Sequence, residues 1–268
     1  EWVPPSAGIT GYRSDKTQGP ACAMACAPAL YWRNWIVTES DAQQIDLAAG
    51  IKALFPGAFR LQNGYLFLNT DGIAVITAAL RSDRREEILQ EIQEQYQVYV
   101  HWDTALTGQS GTKESVKKVG QIFLSALPIR YDNDGWAKLP MDIQKDFATA
   151  VLKGAYEATF LTEIERLKRR KLPDAAADAR GKIILTAPGG GVFGNKIRWI
   201  LNALKHVVDK YNDYPLDLKF NVYGDDPTKL PCAGNGVYWT PDEYRDLLLL
   251  GGQVGSLNNA VENANGSA

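Results

Sequence analysis

The sharpest chemical signal in the chain is Leu185-Thr186-Ala187-Pro188-Gly189-Gly190-Gly191-Val192-Phe193-Gly194-Asn195. An apolar strand pattern ends in a cluster of glycines, and a helical pattern follows. Strand, glycine loop and helix together expose backbone N–H groups to a phosphate. Glycine permits positive φ and close approach of a ligand. The segment is not GxGxxG, and it lacks the GK[ST] of a Walker loop. A tight strand–helix connection is the alternative, but one glycine suffices for that. Phosphate or diphosphate binding is expected at Gly189, Gly190, Gly191, Val192, Phe193, Gly194 and Asn195. The Phe193 ring could stack on a base or ribose.

A second polar loop, Asp15-Lys16-Thr17-Gln18-Gly19-Pro20, also feeds a helix N-terminus. It offers a carboxylate, hydrogen-bonding side chains and free helix amides. Thr17 or Gln18 could equally serve as a simple N-cap. Polar residues also stand where strands are expected to end: Asn69, Asp71, Asp103, Thr104, Asp225 and Asp226. A carboxylate there can activate water or hold a ribose diol. Asp225-Asp226-Pro227 also reads as a turn. Asp103 is less easily dismissed, because no turn residue follows it until Gly108.

Other chemistries find little support. Neither His101 nor His206 sits beside a GxSxG serine, and His206 falls inside an amphipathic helix. Cys22 and Cys26 lie four apart, which is not CxxC, and read as small buried helix residues rather than metal ligands; Cys232 is remote. No metal and no cofactor is expected, and an odd, small cysteine count points to a reducing compartment.

The composition is that of an ordinary soluble domain: 268 residues, 45% hydrophobic and 22% charged. The 29 basic and 31 acidic residues leave a net charge of −2, which gives no footprint for nucleic acid or a membrane surface. No apolar run approaches the roughly 18 residues of a membrane span. The opening Glu1-Trp2-Val3-Pro4-Pro5 has neither the basic region nor the apolar core of a signal peptide, and without a Met it reads as a fragment or trimmed chain.

The elements that must position these residues follow from periodicity. Residues 1–18 read as an entry loop, and an Ala-rich helix is expected from Gly19 toward Trp32. Helical stripes run through 45–54, 88–96, 143–168 and 197–211. Strands are expected at 64–68, 98–102, 119–124, 182–186 and 216–223, with Asn69-Thr70-Asp71-Gly72 as a turn after the first. Thr240-Pro241-Asp242-Glu243 opens a short helix through Leu250. Residues 1–250 are expected to form one α/β domain with a mixed, largely parallel central sheet. Residues 251–268 are expected to be a flexible tail.

Residues 183–223 resemble the last third of a macrodomain, the fold that binds ADP-ribose. The resemblance rests on the strand at Ile183, on Gly191-Val192-Phe193-Gly194-Asn195, on the helix from Ile197 and on the strand Leu216–Tyr223. In outline it extends over residues 10–226, with the loop at 15–20 resembling the family's first phosphate-side loop. Only residues 1–9 precede that region, where macrodomains carry one or two strands. Gly189-Gly190-Gly191 is distantly similar to poly(ADP-ribose) glycohydrolases. Their paired catalytic glutamates have no counterpart, since Glu86-Glu87 lies in a charged helix. The pattern TQGPACA, HWDT, SALP and GGGVFGN looks more like a divergent macrodomain group that includes a Legionella effector removing ADP-ribose from arginine of modified ubiquitin.

The resemblance implies a three-layer α/β/α fold and an ADP-ribosylhydrolase acting on mono-ADP-ribosylated side chains, arginine favoured. Gly189 to Asn195 would wrap the diphosphate and distal ribose. Asp15, Thr17, Gln18 and Gly19 would line the opposite wall, with Thr104 and Asp226 also at the ligand. A carboxylate would position water or hold the ribose, the candidates in order being Asp103, Asp15 and Asp225. The implied partner is ADP-ribose or an ADP-ribosylated protein such as ubiquitin, in the cytoplasm or, for an effector, a host cytosol. A non-catalytic ADP-ribose reader and a nucleotide or sugar-phosphate enzyme are the competing functions.

Overall fold

A computed structural model describes residues 36–37, 42–43, 46–62, 65–105, 118–170, 180–191 and 193–220. They form a mixed α/β fold. In chain order the elements are β1 (Ile36–Val37), β2 (Ala42–Gln43), α1 (Ala49–Leu54), β3 (Phe59–Gln62), β4 (Tyr65–Leu68), α2 (Thr70–Leu80) and α3 (Arg85–Glu94). Then come β5 (Tyr99–Ala105), β6 (Lys118–Phe123), α4 (Met141–Arg170), β7 (Gly181–Leu185), α5 (Ile197–Lys210) and β8 (Leu216–Phe220). Two 3₁₀ turns, Ile129–Tyr131 and Trp136–Lys138, link β6 to α4. Among the described residues, no helix is long and apolar enough to cross a membrane.

The long helix α4 is the spine. It packs against α3, α5 and β7. Its buried stripe includes Ile143, Phe147, Val151, Ala155 and Ile164, the spacing that periodicity anticipates. At its N-terminal end lies an aromatic knot. Trp136 stacks on Phe59 at 5.7 Å between centroids and meets Phe147 at 5.0 Å. Trp136 is fully buried and satisfies its indole N–H by donating to Leu66 O at 2.7 Å. α5 is strongly amphipathic and buries Trp199, Ile200, Leu204 and Val207 against α4.

Strand pairing departs from the expectation of a largely parallel central sheet. Each described strand pairs with one partner, and β7–β8 is the only parallel pair among the described residues. β1–β2, β3–β4 and β5–β6 are antiparallel. Connection length explains the difference: residues 63–64 alone separate β3 from β4, and a parallel pair needs a crossover of a dozen residues or so. β7 and β8 have that crossover in α5. Their ladder runs from Gly181↔Leu216 to Leu185↔Phe220.

Two local expectations are also corrected. Asn69-Thr70-Asp71-Gly72 is not a turn but the start of α2, with Asn69 at the N-cap and Asp71 in the first turn. An acidic first-turn residue complements the helix dipole, and the same residue types that make turns also begin helices. Gly72 is required by packing: a Cβ there would lie 2.3 Å from Ala58 O. The strand at 98–102 does not stop at Asp103. It continues to Ala105 through a register shift between His101 and Thr104.

Candidate functional site

Two tyrosines, Tyr96 half-buried and Tyr156 buried, fix the strand ends from which the candidate site grows. Tyr96, just after α3, accepts from Ser125 N and donates to Ser125 O, both at 2.7 Å. Ser125 lies two residues beyond β6. Tyr156, inside α4, donates to Thr186 O at 2.8 Å, one residue beyond β7. Burial pushes the Tyr156 phenol well above its ordinary value, so it remains a donor at any physiological pH. Tyr156→Phe is expected to lower stability by about 1 kcal/mol in urea unfolding. An unchanged midpoint would contradict the anchoring role.

The glycine loop then runs alongside residues 125–131. Gly190 N donates to Ala187 O at 3.1 Å, which closes the first turn after β7. Gly189 has φ +71° and Gly194 has φ +82°, both in the left-handed region. Gly194 N donates to Gly191 O at 3.1 Å and Asn195 N to Gly189 O at 3.0 Å, so the loop folds back on itself. Asn195 is the clip. It is 2% exposed, and its Nδ2 donates to Leu127 O at 2.9 Å and to Gly189 O at 3.3 Å. The side chain thereby ties the loop to the segment after β6. Its Oδ1 is buried and has no partner among the described residues. A buried unpaired acceptor calls for a donor, which a water or a ligand hydroxyl would supply.

Among the described residues, no backbone carbonyl accepts from the amides of Gly189, Gly191 or Phe193. α5 begins immediately after, with Lys196 at its N-cap and no side-chain cap. Unpaired loop amides and a helix N-terminus that follows them both offer donors to an anion.

Sequence reasoning missed three residues here. Arg130 N donates to Phe193 O at 3.0 Å, and its side chain lies over Gly194. Tyr65 and Tyr131 meet the Phe193 ring edge-on, at 4.8 and 5.7 Å between centroids. Phe193 was anticipated as a stacking residue; its companions come from β4 and from the turn after β6. No spacing rule connects Tyr65 and Tyr131 to residue 193. The only signal was the run Ile129-Arg130-Tyr131 following a strand end.

Of the anticipated site residues, Gly189, Gly190, Gly191, Phe193, Gly194 and Asn195 are brought together. Val192, Asp15, Thr17, Gln18, Gly19, Asp225 and Asp226 lie outside the described residues. Asp103 is exposed on the β5–β6 ladder with φ +57°, the only non-glycine with positive φ among the described residues. Asp tolerates that region better than most residues, which accounts for the ladder's irregularity without a turn. The register places Asp103 and Thr104 beside Val119 and Gly120, upstream on β6 of Ala126, the residue against Gly189.

A deep cleft lies elsewhere. About 730 Å³ lies between α3, α4 and α5, with Ala150, Gly154 and Ala158 among its lining residues, and it includes no glycine-loop residue. Glu157 in that cleft is opposed by burial, yet hydrogen bonds from Lys210, Tyr211 and Gln93 hold its carboxyl below the ordinary range. His206 is pushed down by burial and by Lys153. The cleft's charges are largely paired with one another, as in Arg85–Asp146 and Lys210–Glu157. Among the described residues no cluster of His, Cys, Asp and Glu could hold a metal ion.

No protein-family model, curated protein or solved structure matches this chain.

Proposed function

We propose that the loop at 187–195 binds ADP-ribose and that the protein hydrolyses the glycosidic bond of mono-ADP-ribosylated protein side chains, with arginine linkages favoured. The observation that carries this reading is the loop itself. Two left-handed glycines and the buried Asn195 clip hold a strand–loop–helix turn with amides left over in the loop ahead of the helix. Diphosphate oxygens are suited to those amides, and a base or ribose to the Phe193, Tyr65 and Tyr131 rings. The resemblance to macrodomains supplies the identity of the ligand. The finer architecture, a three-layer α/β/α macrodomain-like domain over residues 1–250, belongs to the same proposal. The parallel β7–α5–β8 unit packed on α4 supports it.

The chemistry is cleavage of the bond between the distal ribose anomeric carbon and the guanidine nitrogen. Water adds to the carbon, its proton passes to a carboxylate, and the nitrogen leaves with a proton. The oxocarbenium-like transition state gains from a nearby anion. The candidate carboxylates are Asp103, Asp15 and Asp225, and Thr104 and Asp226 would stand at the ligand beside them. The acceptor protein, ubiquitin or another, would lie outside the pocket.

The reader alternative draws on one observation: Asp103, the first candidate carboxylate, is an exposed residue of the β5–β6 ladder and not of the glycine loop. Release of ADP-ribose from arginine-, glutamate- and serine-linked substrates decides between them. The hydrolase reading expects turnover on the arginine linkage. It also expects at least a 100-fold loss of turnover in one of Asp103→Asn, Asp15→Asn or Asp225→Asn, with ADP-ribose binding retained. Binding without turnover on any linkage would establish a reader instead.

A further inference from the structure

We propose that Arg130 supplies the cationic clamp of the glycine-loop site, pairing its guanidinium with a diphosphate held there. The assignment rests on the ADP-ribose reading only for the rest of the ligand; the anion is argued from the site. The backbone of Arg130 is already fastened to the loop, donating to Phe193 O at 3.0 Å. Its side chain lies across Gly194. A Cβ built on that glycine would meet Arg130 Cγ at 2.6 Å, Cδ at 3.1 Å and Nε at 3.3 Å. Gly194 is therefore glycine for two reasons, its φ of +82° and the arginine stem that occupies the place of a side chain. The stem is held against the loop and the head is left exposed.

The guanidinium has no hydrogen bond or ion pair with the described residues, unlike most arginines described. Arg60, Arg84, Arg85, Arg166 and Arg180 each lie against a carboxylate. An arginine pinned by its stem and unpaired at its head is poised for a ligand. Its planar fork of donors matches phosphate oxygens in pairs.

Two further observations point the same way. α5 begins with Lys196 at its N-cap and has no acidic residue in its first turn. That places positive charge at the positive end of the helix dipole, an arrangement unfavourable to an isolated helix and relieved by an anion. Asn195, 2% exposed and one residue from Gly194, keeps its Oδ1 without a partner. That oxygen accepts only, so it calls for a hydroxyl and not a phosphate. A cation fastened beside the loop and an orphan acceptor on it describe a phosphorylated sugar better than a bare anion.

The test uses the full chain, with inorganic pyrophosphate and ADP-ribose as separate probes. Arg130→Gln keeps most of the stem over Gly194 and removes the charge; Arg130→Lys restores the charge without the fork. Ligand-free melting and circular dichroism are expected to match the parent for both, since the head is exposed. ADP-ribose affinity is expected to fall about 10- to 100-fold in Arg130→Gln and to recover in part in Arg130→Lys. The gap between parent and Arg130→Gln should narrow as salt rises, which a merely structural role would not produce.

Millimolar pyrophosphate should raise the melting temperature of the parent and not of Arg130→Gln. An equal shift in both, or none in the parent, overturns the assignment. ADP-ribose binding no tighter than pyrophosphate, with the Arg130 dependence intact, overturns the ADP-ribose reading and leaves the clamp standing.

Discussion

Gly189→Val is expected to abolish ligand binding and to destabilise the fold measurably. Its φ of +71° is disfavoured for a residue with a Cβ, at a cost of roughly 1–2 kcal/mol. A Cβ there would also lie 2.4 Å from Asn195 Nδ2 and 2.5 Å from Ala126 Cβ. Neither neighbour has room to retreat, because Asn195 is clamped to Leu127 O and Ala126 is buried. Overpacking of this kind adds about 1–3 kcal/mol. The two costs fall on the same contact, so the clip should open and take the loop's shape with it. Gly190→Ala is the control: its Cβ would meet the flexible Ile200 Cδ1 at 3.0 Å, and its φ is not positive. Urea unfolding and titration of both variants check the difference. Binding retained in Gly189→Val would show that the loop's conformation does not matter to the site.

The second large effect is expected at Asp132. This carboxylate is 3% exposed and accepts from Leu68 N at 2.8 Å and Trp136 N at 3.1 Å through one oxygen. Arg60 lies 3.8 Å from the other oxygen. Asp132 thus ties β4, the aromatic knot and the turn bearing Arg130 and Tyr131 into one unit. Asp132→Ala would leave two buried N–H groups without their acceptor, each worth about 1–3 kcal/mol. A loss of roughly 2–5 kcal/mol in unfolding free energy is expected, with Asp132→Asn intermediate because it keeps one acceptor oxygen. A change below about 0.5 kcal/mol would mean that water replaces the carboxylate without cost.

How much was legible beforehand depended on range in sequence. α4 and α5 were readable because their buried residues recur at helical spacing over many turns, as in Ile143, Phe147 and Val151. The glycine loop was readable because strand, glycines and helix are contiguous. α2 was misread at its start because Asn, Thr, Asp and Gly serve turns and helix caps alike. The antiparallel pairs were hidden because β3, between a Pro-Gly turn and β4, is only Phe59–Gln62 and its pairing is set by a short connection. Arg130, Tyr65 and Tyr131 were not legible as site residues because they reach Phe193 and Gly194 only through the tertiary fold. The clip at Asn195 was anticipated as a ligand contact. Its hydrogen bond to Leu127, 68 residues away in sequence, gives it a structural duty that no local pattern encodes.

Calorimetric titration of the chain with ADP-ribose, with AMP and ribose 5-phosphate as controls, decides whether the loop at 187–195 is an ADP-ribose site. Micromolar binding, about −8 kcal/mol, selective over both controls, is the expected result. A folded sample with no heat of binding, or with AMP binding as tightly as ADP-ribose, would contradict it.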